Sequence, residues 1–175
     1  MGIPQLVEIA KAQGYRSIEL VPAKEWSFIK EQGLKIAIGS SHGFARGFAQ
    51  PEQTAECVKI LKEQLDLAAA HDVPNIITFS GFRKGLTTED AVKNMVAGLK
   101  QIVGYAEEKK VTLCLEMLNS RVPIEMKGHP DYFCDDMDLT IESTCTKQRF
   151  IQNICSVGCC KDDDATVRIE TVHFC

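Results

Sequence analysis

The residues of this chain best placed to do chemistry are a glutamate and an asparagine at the end of an apolar run, Val111-Thr-Leu-Cys-Leu-Glu-Met-Leu-Asn119. Side chains alternate across a strand, so Glu116 shares a face with Thr112, Cys114 and Leu118. Val111, Leu113, Leu115 and Met117 form a hydrocarbon ridge on the opposite face, suited to packing under helices. A carboxylate on a buried strand is costly unless a cation, a donor or a proton neutralises it. Glu116 is therefore the residue to explain, as a working group or as a carboxylate neutralised by a Lys or Arg.

Other polar residues recur at comparable places. Glu19 lies near the end of Arg16-Val21, Ser40-Ser41-His42 ends Lys35-Ser41, and Ser80-Gly81-Phe82-Arg83 follows Asn75-Ser80. His42 reads either as an acid/base or hydrogen-bonding group near neutral pH, or as a capping residue after a strand. Arg83 could clamp a carboxylate through its two-pronged guanidinium. Asn119 suits a hydrogen bond to substrate or to a neighbouring ligand residue. For Glu19 a structural ion pair is the favoured reading, and for His129 before Pro130, a turn. Asp162-Asp-Asp164 reads as a solvated charge run.

Alternating elements must position these groups. Four strand candidates, Arg16-Val21, Lys35-Ser41, Asn75-Ser80 and Val111-Leu118, are each entered from a helix-like segment. Gly14 and Gly33 suit helix C-caps, and Lys109 and Lys110 complement a helix C-terminus. From Glu52 to Ala70, Ala55, Val58, Leu61, Leu65 and Ala68 share one helical face. Thr88 to Lys109 shows the same period, with Thr87 and Asp90 as an imperfect capping box. Strands alternating with amphipathic helices predict a parallel sheet flanked by helices, in which the strand ends either converge at the mouth of a barrel or line the crevice of an open doubly wound sheet. No Gly-x-Gly-x-x-Gly follows any strand, which argues against a nucleotide-binding sheet.

The 175 residues, 45% hydrophobic and 25% charged, have the composition of a globular domain. A net charge of -4 with no basic patch argues against nucleic acid. No stretch approaches a membrane span and no signal segment is visible, so the cytoplasm is the expected compartment. Cys57 and Cys114 fall in element patterns and read as small apolar residues. Five of the eight cysteines lie from Cys145 onward. Cys155, Cys159 and Cys160 lack a partner histidine at zinc-finger spacing, so that cluster reads as accidental composition.

The strings Leu115-Glu-Met-Leu-Asn-Ser120 and Ile77-Thr-Phe-Ser-Gly-Phe-Arg-Lys-Gly85 resemble the hydroxypyruvate isomerase family of xylose-isomerase-like TIM barrels. Ser40-Ser-His-Gly43, Ser17-Ile-Glu-Leu20 and Asp131-Tyr-Phe-Cys-Asp-Asp136 fit the same resemblance, which runs from about Ile3 to about Glu142. It implies a (β/α)8 barrel, here incomplete, with strands two to five present. It also implies a divalent metal, Mg²⁺ or Mn²⁺, with Glu116 as a ligand and catalytic group and His42 as a second catalytic residue. Arg83 and Asn119 would then bind a small hydroxy-ketone such as hydroxypyruvate, isomerised through an enediolate. A ketose 3-epimerase is the near alternative, an apurinic endonuclease a more distant one, and a non-catalytic remnant the reading from another class.

Residues 1–142 are thus expected to form the partial barrel. Residues 143–175, Cys-rich and without sustained period, are expected to lie outside the evolved fold, as a frameshifted or truncated reading frame would produce. Other metal ligands would come from strands beyond the fourth, so the chain alone is expected to be inactive or nearly so. Unpaired strand edges are expected to invite self-association.

Overall fold

The computed structural model describes residues 2–120 and 129–135, together with the backbone of 145–146 and 149–150. In chain order the elements are α1 (Ile3–Ala12), β1 (Ser17–Ile18), α2 (Trp26–Glu31), β2 (Lys35–Ile36), α3 (Pro51–Ala70), β3 (Asn75–Thr78), α4 (Thr88–Leu99), α5 (Val103–Lys109), β4 (Thr112–Leu115), β5 (Cys145–Thr146) and β6 (Arg149–Phe150). β1 pairs with β2 and β3 with β4, both in parallel. A parallel bridge from Gly39 to Ile76 joins the two pairs. The described strands β1 to β4 thus lie in sequence order with helices between them, an incomplete (β/α) barrel and not a closed one. β5 and β6 form a separate antiparallel pair. The remainder of 143–175, including Cys155, Cys159, Cys160 and the Asp162–Asp164 run, lies outside the described residues.

Local chemistry explains the element ends. Gly14 and Gly33 take positive φ, +77° and +83°, just beyond α1 and α2. Their N–H groups donate to Lys11 and Lys30, and the next N–H groups donate to Ala10 and Ile29, which satisfies the last helical carbonyls. Thr87 caps α4, accepting from the Asp90 N–H at 3.1 Å while its hydroxyl donates to the Asp90 carboxylate at 2.8 Å. Among the described residues no helix is long and apolar enough to cross a membrane.

Two differences from the sequence expectation have physical causes. The predicted strand Lys35-Ser41 is interrupted because its N–H groups change sides: Ala37 donates to Ile18 in β1, whereas Gly39 donates to Asn75 in β3. Residues two apart in a regular strand donate to the same side, so an irregularity of bulge type lies between them. A Cβ on Gly39 would sit 2.7 Å from Ile76 and 2.9 Å from Trp26, which is why a glycine occupies the crossing point. The helix predicted over Thr88–Lys109 is divided into α4 and α5. Gln101 and Ile102 donate three residues back, to Gly98 and Leu99, and Ile102 leaves helical geometry at φ -121°.

The alternation read from β4 is realised in three dimensions. Val111, Leu113 and Leu115 join the large core between sheet and helices, with Leu61, Leu65, Met95, Leu99 and Trp26. Cys114 and Leu118 belong to a smaller inner cluster with Ile38, Ile77, Phe79 and Tyr132. Cys57 is fully buried in the helix-side core, and burial pushes its thiol up to about 11.

Candidate functional site

The inner face at the C-terminal ends of the strands is closed by residues 129–135, which fold back over the end of β3. Arg83 N–H donates to the Asp131 carbonyl at 2.7 Å, Phe133 N–H to Gly81 at 3.1 Å, and Leu118 N–H to Cys134 at 2.7 Å. Cys134 N–H reaches the buried Ser80 hydroxyl at 3.1 Å. An antiparallel bridge pairs Phe82 with Tyr132. This strap places an aromatic group over the sheet. Phe82 and Tyr132 stack at 5.0 Å with rings 2° from parallel, and Phe44 meets Tyr132 and Phe79 edge-on at 6.1 and 6.3 Å.

Glu116 stands in this enclosure, half-buried, one residue beyond β4. Its N–H donates to the Thr78 carbonyl at 3.0 Å, which extends the ladder and fixes the inward direction of its side chain. Among the described residues no hydrogen bond or ion pair reaches its carboxylate. Burial, and after it the negative charge of Glu19, holds its carboxyl above the ordinary carboxylate range. Glu19 is exposed and joins no ion pair among the described residues. The structural ion pair expected for it is replaced by repulsion from Glu116.

His42 is held at both nitrogens. Nδ1 lies 2.9 Å from the Arg46 carbonyl, and Nε2 lies 3.0 Å from the Thr78 hydroxyl. A carbonyl can only accept, so Nδ1 carries the proton and the Thr78 O–H donates to Nε2. Phe48 and Phe79 meet the ring edge-on at 5.9 and 5.8 Å. Burial holds the imidazole below its usual value, so it stays neutral and pins the loop after β2 to β3.

Arg83 is likewise engaged. It donates to the Thr88 hydroxyl at 3.0 Å, approaches the Asp135 carboxylate at 3.6 Å and lies over the Phe133 ring at 5.2 Å. It ties the strap to the start of α4. Asn119 is half-buried, and its carbonyl accepts from the His129 N–H at 3.0 Å. His129 makes a turn, its Nδ1 accepting from the Asp131 N–H.

The site thus combines Glu116, its repelling neighbour Glu19 and the aromatic strap. Tyr132 was not singled out from the sequence, although it lies in one of the strings that carried the resemblance. No helical or strand period marks it, because a single backbone bridge delivers it. A divalent cation would need several donors converging from different strands. Among the described residues no group of three or more His, Cys, Asp or Glu side chains could hold one. The described donor set therefore does not fit a resident metal.

Residues 7–124 match a family described as a xylose isomerase-like TIM barrel. No curated protein matches the chain by sequence. Among solved structures, the chain is similar to the IOLI protein with a binding zinc atom, with TM-score 0.68 and 15% identity over 88% of this chain and 56% of that one. It is similar to a D-tagatose 3-epimerase-like protein, with TM-score 0.65 and 13% identity over 84% of this chain and 57% of that one. It is also similar to an AP endonuclease of family 2 from Brucella melitensis, with TM-score 0.65 and 18% identity over 89% of this chain and 62% of that one. The chain thus spans less than two thirds of the length of these structures. At such identities the likeness establishes the fold.

Proposed function

Because the chain belongs to the xylose isomerase-like TIM-barrel family, we propose that it carries part of an enzyme site that moves a proton at the carbon beside a carbonyl. The substrate class is a small hydroxy-ketone, and epimerisation of a neutral ketose is favoured over isomerisation of hydroxypyruvate. The observation that carries this reading is the half-buried Glu116 carboxylate on the inner face, which no hydrogen bond or ion pair reaches among the described residues. A carboxylate that burial makes more basic is a suitable base for a carbon-bound proton. Removing that proton leaves an enediolate with the proton held by Glu116 on one face; delivery of a proton from water on the opposite face gives the epimer, and Glu116 then releases its own proton to solvent.

Charge supports the choice of substrate. Glu19 and Glu116 place two carboxylates at the site, which disfavours an anion such as hydroxypyruvate. The cation that would clamp such an anion, Arg83, is occupied by Asp135 and Thr88. The aromatic strap suits the C–H face of a sugar. The similarity to a D-tagatose 3-epimerase-like protein agrees with this preference. No step is routed through a metal, because the described donors do not assemble a site for one.

The test is proton exchange in D₂O, followed by loss of the ketose C–H signal in NMR with the full chain. Glu116→Gln is expected to lower the exchange rate by roughly 10²–10⁴-fold, the usual contribution of a positioned base. Exchange that survives the substitution unchanged would remove Glu116 from the mechanism.

A further inference from the structure

Tyr132 is a buried residue with a polar end. The residue is only 4% exposed, yet among the described residues no acceptor pairs with its hydroxyl. Buried polar groups are nearly always hydrogen-bonded, so a buried donor with no acceptor among the described residues asks for an explanation.

The ring has little freedom to turn away. Phe82 stacks on it at 5.0 Å, Phe44 closes on it at 6.1 Å and His129 at 5.7 Å. Its backbone is held by the bridge to Phe82 and by its N–H bond to the His129 carbonyl at 3.1 Å. Tyr132 packs in the inner cluster with Cys114 and Leu118, the side chains two before and two after Glu116. Those residues share the face of Glu116, so the phenol and the carboxylate address the same space.

We propose that the Tyr132 hydroxyl is a substrate-contacting donor of the Glu116 site, held ready for an oxygen of a neutral ketose. Burial, followed by the charge of Glu116, pushes the phenol above its usual value. It therefore stays protonated at neutral pH and donates. A neutral ligand oxygen completes the hydrogen bond without adding a third negative charge beside Glu19 and Glu116. The proposal rests on the ketose reading of the site and adds to it the residue that grips the substrate.

Tyr132→Phe keeps the stack and removes only the hydroxyl. The full chain and the variant are melted with and without D-fructose or dihydroxyacetone, and proton exchange into each ketose is followed by NMR. The expected result is an unchanged or raised melting temperature for the ligand-free variant, with the ketose-induced shift lost and exchange reduced at least tenfold. A fall of several degrees in the ligand-free variant would assign the hydroxyl to the fold and overturn the proposal. Equal ketose response in both proteins would overturn it while leaving the ketose reading intact. A wild-type chain that neither exchanges nor is stabilised by either ketose would overturn both.

Discussion

Gly47→Ala should destabilise the fold more than any other single methyl group added to a described glycine. A Cβ at Gly47 would lie 2.1 Å from the Ser80 carbonyl carbon, 2.3 Å from its oxygen and 2.4 Å from the Gly81 nitrogen. All three are backbone atoms, so no flexible side-chain end can give way. Restoring ordinary contact requires the loop after β2 and the loop after β3 to part by roughly 1 Å or more. That motion strains the Ala49 N–H bond to Ser80 at 3.0 Å and the Gln50 amide bonds to the Phe82 and Arg83 carbonyls at 3.0 and 2.6 Å. Three hydrogen bonds at about 1 kcal/mol each, plus about 1–3 kcal/mol of overpacking, give a loss of about 4–6 kcal/mol. A domain with about 5–15 kcal/mol of stability would be mostly unfolded at modest urea. Gly104→Ala is the control: nothing lies within 4 Å of its Cβ position in α5, so it should gain about 0.5–1 kcal/mol from helix propensity. Equilibrium urea unfolding of the two variants measures both. A Gly47→Ala loss under about 1 kcal/mol would show that the loops are not in rigid contact and refute the packing argument.

Two further predictions concern titration. Glu116 holds its proton more tightly in the folded chain than at its usual value of 4.5, so wild-type stability should fall as pH rises through and above that value. Glu116→Gln lacks this loss, and its melting-temperature advantage should be absent in acid and full at neutral pH; a constant difference would contradict the assignment. His42 behaves in the opposite sense, because its folded value lies below 6.5 and the unfolded chain takes up the proton first. Stability should therefore be lost as pH falls from 6.5 towards that lower value, and His42→Gln should flatten this window while costing about 1–2 kcal/mol at neutral pH through its lost hydrogen bonds. A ring that titrates at its usual value by NMR would refute the burial argument.

What could be read from the chain alone divides along the range of the interactions. The two faces of β4, the glycine caps after α1 and α2 and the Thr87 cap of α4 are set within a few residues and appear where the pattern placed them; the apolar stripe of α3 does so at Leu61, Leu65 and Ala68, whereas Ala55 is exposed and Cys57 takes the buried place. The inward placement of Glu116 follows from the same alternation. The crossing at Gly39 and the break between α4 and α5 depend on distant contacts. Gly39 is pressed by Trp26 and Ile76, and a Cβ on Gly98 would lie 2.4 Å from Phe48. The environments of the polar site residues are of the same distant kind. Arg83 finds Asp135 and His42 finds Thr78 across separate loops, so their engagement was invisible in spacing. Tyr132 lacked any periodic signal, because its position depends on where the strap lands and not on the sequence around it.

The strap also explains why stability and chemistry are coupled in this fold. The larger core lies between the sheet and its helices and needs nothing from residues 129–135 apart from Phe133 and Cys134. The inner cluster is small, and Tyr132 is one of its six buried members. Loosening the strap would open the inner cluster to water and carry off the phenol packed against Cys114 and Leu118. A substitution such as Asp135→Asn, which weakens the hold of Arg83 on the strap, would therefore act on the site through its solvation without touching Glu116. Burial is the first cause of the shift at Glu116 and the charge of Glu19 the second, so admitting water to the inner face should lower the carboxyl more than removing Glu19 would.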